Sequence, residues 1–219
     1  MRFSIITITK NNPDGFARTR ASVAAQDCPD CEWIVIDGAV EEDAGIYDAM
    51  NKGIARATGD YLIFMNAGDV FVDGGVLSRI LPFLGPGFLY GDAREGGRLK
   101  PARHGIAYGM PTHHQAMVFL RGARRYDLRY PIAADYKFTA QYWMDGTRAH
   151  LPFAVCDFET GGVSQRNPAR GRREQTAIRR ELGISAPGVR GVQAVAHAFK
   201  SLFPRIYWRL RSRLWTSRA

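Results

Sequence analysis

The chain has 219 residues, 46% of them hydrophobic and 23% charged, which is enough apolar material for one good core plus an appendage and rules out a disordered or fibrous class. The net charge of +9 is unevenly placed: residues 166–219 hold 13 Lys and Arg against Glu174 and Glu181, a balance of +11, so the first 165 residues carry −2. No apolar run reaches ~18 residues, so no membrane span is expected, and an odd set of three cysteines (Cys28, Cys31, Cys156) without a signal peptide argues for a reducing, cytoplasmic setting rather than a disulfide framework.

Phe3 to Thr9 (FSIITIT) is β-rich and mostly apolar, as a buried strand is. Asn12-Pro13-Asp14 offers a turn and a helix start, and the apolar positions from Phe16 to Ala24 predict a helix to about Gln26. Cys28-Pro-Asp-Cys31 has redox or half-zinc spacing, but no second pair completes a metal site and a loop is the simpler reading. Trp33 to Asp37 (WIVID) is a second buried strand. Ile46, Ala49, Met50, Gly53, Ile54 and Ala57 then place apolar or small residues on one helical face, with Tyr47, Asp48, Asn51, Lys52 and Arg56 on the other. Gly59 suits the end of that helix, and Tyr61 to Met65 (YLIFM) is a third buried strand.

Strand-helix-strand-helix-strand with short connections predicts right-handed βαβ units in a mostly parallel sheet, with a ligand beyond the carboxyl ends of the strands. Those ends are Thr9-Lys10-Asn11, Asp37-Gly38 and Asn66-Ala67-Gly68-Asp69. Two carry acids, which a phosphate pocket would not choose without a cation. There is no GxGxxG after the first strand and no GxxxxGK[ST], so neither a dinucleotide fold nor a P-loop is supported.

Further along, Val76 to Leu84 reads as a helix, Phe88 to Asp92 (FLYGD) as a short strand, and the Gly- and Arg-rich segment from Arg94 to Met110 as loop. Ala116 to Leu120 is a strand following His113-His114-Gln115. Ala134 to Trp143 is a helix with Asp135 near its start, and Leu151 to Phe158 is the last strand.

At Asp37, Asn66-Ala67-Gly68-Asp69, His114-Gln115 and Ala134-Asp135-Tyr136 the sequence resembles the family 2 glycosyltransferases of GT-A fold. Within them it is most similar to the bacterial exopolysaccharide branch that includes colanic-acid-type transferases. GIYDAMNKGI followed by GDYLIFMNAGD carries most of the likeness, which covers roughly residues 3–165. The resemblance implies an α/β GT-A domain (residues 1–165) and transfer of a hexosyl group from a nucleotide-sugar, UDP- or GDP-linked, to an acceptor hydroxyl with inversion. It also implies a need for Mg²⁺ or Mn²⁺.

By that resemblance Asp69 is the metal ligand; one carboxylate plus substrate phosphate can hold a hard cation that keeps its waters. Relatives often carry further acids where this chain has Asn66 and Gly68. Asp37 would contact base or ribose, and Thr9, Asn11, Asn66, Ala67 and Gly68 would line the same donor cleft. Tyr47, Asp48, Asn51 and Lys52 would border it, with Lys52 approaching the diphosphate. Asp92 would meet the donor sugar, and His114 the diphosphate, the metal or the acceptor. Asp135 is the candidate general base, kept ionised by its place near a helix N-terminus. Each of these residues also has an ordinary structural reading, as turn acid, helix-face residue or packed histidine.

Only six residues separate Gly38 from Gly45, where relatives place a helix and a strand. A catalytically impaired scaffold or a partner-dependent subunit is the alternative that this short link raises. Residues 166–219 form the expected basic tail. Asn167 to Leu182 is an Arg-rich helix. After Pro187, Val192, Val195, Phe199, Leu202, Phe203 and Ile206 make an apolar stripe beside Lys200, Arg205, Arg209, Arg211 and Arg213, with Trp208 and Trp215 suited to a headgroup interface and Pro204 a bend. This predicts peripheral binding to an anionic membrane surface, on the inner face of the cytoplasmic membrane, near a lipid-linked saccharide acceptor. Nucleic acid, the other partner a basic tail could take, is not expected, since no RRM, zinc-finger or helix-turn-helix signature is present. A nucleotidyltransferase would need a basic glycine loop after the first strand, which ITKNNPDG is not.

Overall fold

The computed structural model describes residues 2–203 and 205–207. It opens with β1 (Phe3–Thr9), α1 (Pro13–Ala24), β2 (Cys31–Asp37), α2 (Ile46–Arg56) and β3 (Tyr61–Phe64). Next come β4 (Val70–Phe71), α3 (Val76–Ile80) running into a 3-10 turn at Leu81–Phe83, and the hairpin β5 (Phe88–Glu95) and β6 (Arg98–Lys100). A second 3-10 turn at His114–Ala116 leads into β7 (Met117–Leu120), α4 (Ala134–Met144) and β8 (Arg148–Phe158). The chain continues as α5 (Val163–Arg166), α6 (Pro168–Glu181) and α7 (Val189–Leu202).

The main path of the sheet runs β2-β1-β3-β7-β5-β8-β4, with β6 on β5. The expected parallel pairing holds for β2-β1-β3 and for β5-β8. The β3-β7, β5-β7, β5-β6 and β4-β8 pairs are antiparallel, so the sheet as a whole is mixed. Antiparallel neighbours need no helical crossover, and the two-residue link at Gly96-Gly97 between β5 and β6 could not hold one.

Alternation along the central strands sorts side chains into two layers. Phe3, Ile5, Tyr61 and Ile63 pack with α3 and Val118 on one face. Ile6, Leu62 and Phe64 pack with α2, Phe88, Phe119 and α4 on the other. α2 lies close to the sheet because Gly53 faces Ile6: a Cβ there would stand 2.4 Å from Ile6 Cγ2. α1 begins at Pro13, ahead of the first apolar position, because Asn12 accepts a hydrogen bond from Gly15 N–H (3.1 Å) and caps it. The segment read as loop after Asp92 is instead strand to Glu95 and from Arg98. Gly96 and Gly97 both have positive φ (58° and 73°), the geometry of a two-residue hairpin turn.

The short Gly38–Gly45 link carries no strand. β2 is an edge, and the link is folded back on α2 through Arg56–Glu41 (2.5 Å) and through Lys52, which reaches Glu41 (3.8 Å) and the Glu42 carbonyl.

Of the tail expected from residue 166, α6 is built into the body. Ile178 of α6 is fully buried with Ile106, Ala133, Tyr136 and Ala140. Glu174 accepts the N–H groups of Ile132 and Ala133, both at 2.9 Å, and Glu181 pairs with buried Lys137 (2.5 Å). α7 touches the body through polar groups: Gln193 donates to the Tyr108 carbonyl (3.0 Å) and Lys200 pairs with Glu95 (2.7 Å). Its apolar stripe points outward, with Val195 70% and Leu202 71% exposed. Pro204, Trp208, Arg209, Arg211, Arg213 and Trp215 lie outside the described residues.

Glu32 ties β1, β2 and the α2–β3 turn together, accepting from Ser4 Oγ (2.6 Å), Thr58 N (2.6 Å) and Gly59 N (3.0 Å). Burial alone would raise its carboxyl, but these bonds outweigh it and hold it at about 2, against an ordinary 4.5. Its stabilisation is therefore complete above pH 4.5 and is lost as pH falls toward 2. Glu32→Gln should lower the unfolding free energy at pH 7 by roughly 1–3 kcal/mol and flatten the stability curve over that acid window, measured by denaturant titration. A chain ended at residue 165 would uncover Tyr136 and Ala140 and leave Lys137 without Glu181; circular dichroism melts should show loss of cooperative unfolding.

Candidate active site

Beyond the carboxyl ends of β1 and β3 lies a cavity of about 990 Å³. Its floor is the turn Asn66–Asp69, fastened to β1 by the Ala67 N–H to the Ile8 carbonyl (3.0 Å). Thr19, fully buried in α1, donates to the Asp69 carbonyl (2.7 Å) and accepts from Gly68 N–H (3.0 Å). Gly68 takes φ +107°, and a Cβ there would meet Glu159 Oε2 at 1.9 Å, so only glycine fits.

Asp69 is 4% exposed. Its Oδ2 accepts from Gln115 Nε2 (2.6 Å) and its Oδ1 from the Glu159 N–H (2.9 Å). Both donors are neutral, and among the described residues no cationic side chain pairs with it. Burial pushes its carboxyl up to about 7 against the pull of these two bonds, and the Glu159 charge adds to the rise. Nearby, Asn66 Oδ1 is buried with no hydrogen-bond partner. A buried acid lacking a counter-charge beside an unused amide oxygen is a hard-oxygen donor set that suits Mg²⁺ or Mn²⁺. No cluster of three or more His, Cys, Asp or Glu is assembled for a metal among the described residues. A cation here would thus draw most of its ligands from phosphate and water.

Asp135 lines the same cavity from the first turn of α4, half-buried. Burial pushes its carboxyl up to about 6, opposed by the Tyr136 N–H, which donates to Oδ1 (2.7 Å), and by the Tyr47 hydroxyl; the charge of Glu174 raises it further. His114 Nε2 meets the Tyr126 hydroxyl at 2.8 Å while its Nδ1 is buried and unpartnered. Burial drops this imidazole to about 3, so it is neutral.

Of the residues expected at the donor cleft, Thr9, Tyr47, Asn66, Ala67 and His114 line the cavity with Asp69 and Asp135. Asn11, Asp37, Asp48, Asn51, Lys52, Gly68 and Asp92 are not in its wall, and most are engaged elsewhere. Asp37 sits beside Thr9 in register, but its Oδ1 accepts from Ala39 N–H (2.9 Å) in the strand-end turn. Asp48 accepts from Ala44 N–H (3.1 Å). Asn51 clamps the Tyr126 backbone by two bonds (2.8 and 3.0 Å), and Lys52 holds the 41–43 link. Asp92 accepts from Ala102 N–H (2.8 Å). Asn11 is an exposed residue in the left-handed region (φ 51°). Thr19, Gln115 and Glu159 were not expected. Gln115 belongs to the His114-Gln115 pair, whereas the Thr19 hydroxyl binds backbone groups of the turn and Glu159 acts through its own N–H, contacts that leave no mark in a sequence.

The mixed sheet with helices on both faces and a cavity at the strand ends defines a GT-A protein. Its structure superposes on the Staphylococcus aureus protein TarS with a TM-score of 0.67 at 18% identity, covering 94% of this chain and 44% of TarS. Against a Pyrobaculum calidifontis mannosyltransferase solved with GDP-mannose and Mn²⁺ the score is 0.59 at 14% identity, covering 98% and 87%. The chain matches no family model. It is 32% identical to an uncharacterized glycosyltransferase of Mycobacterium tuberculosis, over 97% of this chain and 94% of the relative. It is 30% identical to a PGL/p-HBAD biosynthesis glycosyltransferase of Mycobacterium bovis, over 74% and 78%. The chain belongs to this family of glycosyltransferases.

Gly68→Ala should push the Glu159 carboxylate aside and strain the positive-φ turn, lowering the melting temperature by the equivalent of roughly 1–3 kcal/mol. An unchanged melt would mean that the turn can relax.

Proposed function

We propose that the chain is an inverting glycosyltransferase of family 2 type. In this reading it moves a sugar from a UDP- or GDP-sugar to a saccharide hydroxyl, in the synthesis of a lipid-linked or surface glycan. The observation that carries the reading is the single cavity shared by Asp69 and Asp135. The naming of one relative for PGL/p-HBAD biosynthesis supports a role in glycan synthesis, and the GDP-mannose and Mn²⁺ bound to a structural neighbour support the donor class and the divalent ion.

Inversion needs one displacement and one base. Asp135 accepts the proton of the attacking hydroxyl. With its pKa near 6 it is mostly ionised at neutral pH yet more basic than an ordinary carboxylate. Asp69, with Asn66 Oδ1, would hold Mg²⁺ or Mn²⁺, which when bound neutralises the charge that grows on the departing diphosphate. Gln115 and the Glu159 N–H fix the Asp69 oxygens in place. Neutral His114 offers hydrogen bonding rather than charge.

Residues 1–165 supply both acids, while α6 and α7 complete the cavity wall and α7 would meet a bilayer. The outward stripe of α7, with the tail's balance of +11, suits reversible attachment to the anionic inner face of the cytoplasmic membrane, each basic residue near the surface adding ~1 kcal/mol.

A thermal-shift panel of nucleoside diphosphates and nucleotide-sugars should give stabilisation by one nucleotide class, stronger with Mn²⁺; no response to any would favour a scaffold. Asp135→Asn should abolish transfer and leave donor affinity intact, and loss of donor binding would remove Asp135 from the base role. In the wild type, kcat/KM should fall as pH drops from about 7 through about 6, as protonation of Asp69 weakens cation binding and protonated Asp135 can no longer accept a proton.

A further inference from the structure

One face of α6 lines the cavity: Pro168, Gly171, Arg172 and Gln175 fall at i, i+3, i+4 and i+7, preceded by Arg166 at the end of α5. Several neighbouring cations are paired with carboxylates. Arg170 pairs with Glu174 (2.9 Å), Lys200 with Glu95 (2.7 Å), and Arg18 with Glu159. Arg179 lies over the Tyr136 ring at 5.7 Å. Among the described residues, Arg166 and Arg172 have no carboxylate within ion-pair distance, although both line the cavity and Arg172 is half-buried. Arg166 is exposed, but for Arg172 partial withdrawal of an unpaired guanidinium from water is costly unless an anion meets it.

The position says which anion. Two residues after Arg172, Glu174 holds the Ile132 and Ala133 N–H groups that lead into α4, which carries Asp135. The arginine face therefore belongs to the wall that carries the base, whereas the nucleotide diphosphate of the proposed reaction belongs with Asp69 on the floor. We infer that Arg172 and Arg166 form a subsite for a phosphate group of the acceptor, close to the hydroxyl that is glycosylated. This rests on the glycosyltransferase reading above. A planar guanidinium donates in parallel to two phosphate oxygens, and a pair of them balances a phosphate's double charge.

The test uses the full chain saturated with UDP or GDP (whichever binds) and Mn²⁺, titrated with glucose 1-phosphate and, separately, with glucose, by thermal shift and calorimetry. Glucose 1-phosphate should stabilise the loaded protein and glucose should not. Arg172→Gln should weaken glucose 1-phosphate binding about tenfold or more while leaving nucleotide affinity within about twofold. Arg172→Lys, which keeps the charge without the fork, should fall between. Exposed Arg166→Gln serves if the Arg172 variants do not fold, and it should also weaken the sugar phosphate. Attachment to phosphatidylglycerol vesicles should be unchanged in every variant. Equal responses to glucose and glucose 1-phosphate would overturn the proposal. So would a matching loss of nucleotide affinity, which assigns the arginines to the donor, or a matching loss of vesicle binding, which assigns them to lipid headgroups. Failure of both nucleotides to bind overturns the donor reading instead; the same sugar-phosphate titration on unloaded protein then decides the arginine subsite alone.

Discussion

A buried carboxylate without a counter-charge is the constraint around which this molecule is arranged. Asp69 is held between the Gln115 amide and the Glu159 N–H, so the end of β3, the turn before β7 and the end of β8 meet at one side chain. Thr19 joins α1 to the same turn. These donors orient the carboxylate but bring no positive charge, and burial leaves it less acidic than an exposed aspartate. A site with that imbalance favours whatever cation enters it, and a cation that arrives with phosphate ligands of its own needs little more from the protein.

The second half of the chain serves the opposite wall. α4 offers Asp135 from its first turn, and α6 steadies the approach to that turn through Glu174 while burying Ile178 against Tyr136 and Ala140. α6 thus stands with one face in the core and another on the cavity. α7 then lies across the rim, pinned by Lys200 to Glu95, whose low carboxyl is maintained, against burial, by His113, Lys100 and Lys200. The outward stripe of α7 shares its helix with the cavity-lining Gln193, Ala196 and Lys200, so under the proposed attachment a bilayer would lie beside the cavity.

Much of this was legible from the residues. The βαβαβ unit was readable because its signals are local: apolar runs of strand length, a 3.6-residue stripe from Ile46 to Ala57, and Gly59 as a stop. Asp69 and Asp135 were legible only through resemblance, since a turn acid and a first-turn acid are ordinary by themselves. The hairpin at Gly96-Gly97 had a readable signal in its paired glycines that arginine-rich flanks obscured. β4 has none: Val70 and Phe71 are strand because Asp157 and Cys156 lie opposite them, almost ninety residues away. Asp37 and Lys52 illustrate the reverse failure. Neither lines the cavity: Asp37 Oδ1 is engaged in the strand-end turn and Lys52 in the shortened 38–45 link. Where a side chain spends its hydrogen bonds is a tertiary fact, and sequence spacing does not contain it.

The claim on which the mechanism turns is that Asp69 receives the cation while Asp135 faces the reacting hydroxyl across the same cavity. Anomalous diffraction at the manganese edge, from crystals grown with Mn²⁺ and the bound nucleoside diphosphate, tests it directly. The expected result is one strong peak bonded to an Asp69 oxygen and to the diphosphate, with Asp135 free of metal and open to the acceptor side. A peak on Asp135, or a nucleotide seated with Mn²⁺ away from Asp69, would contradict it.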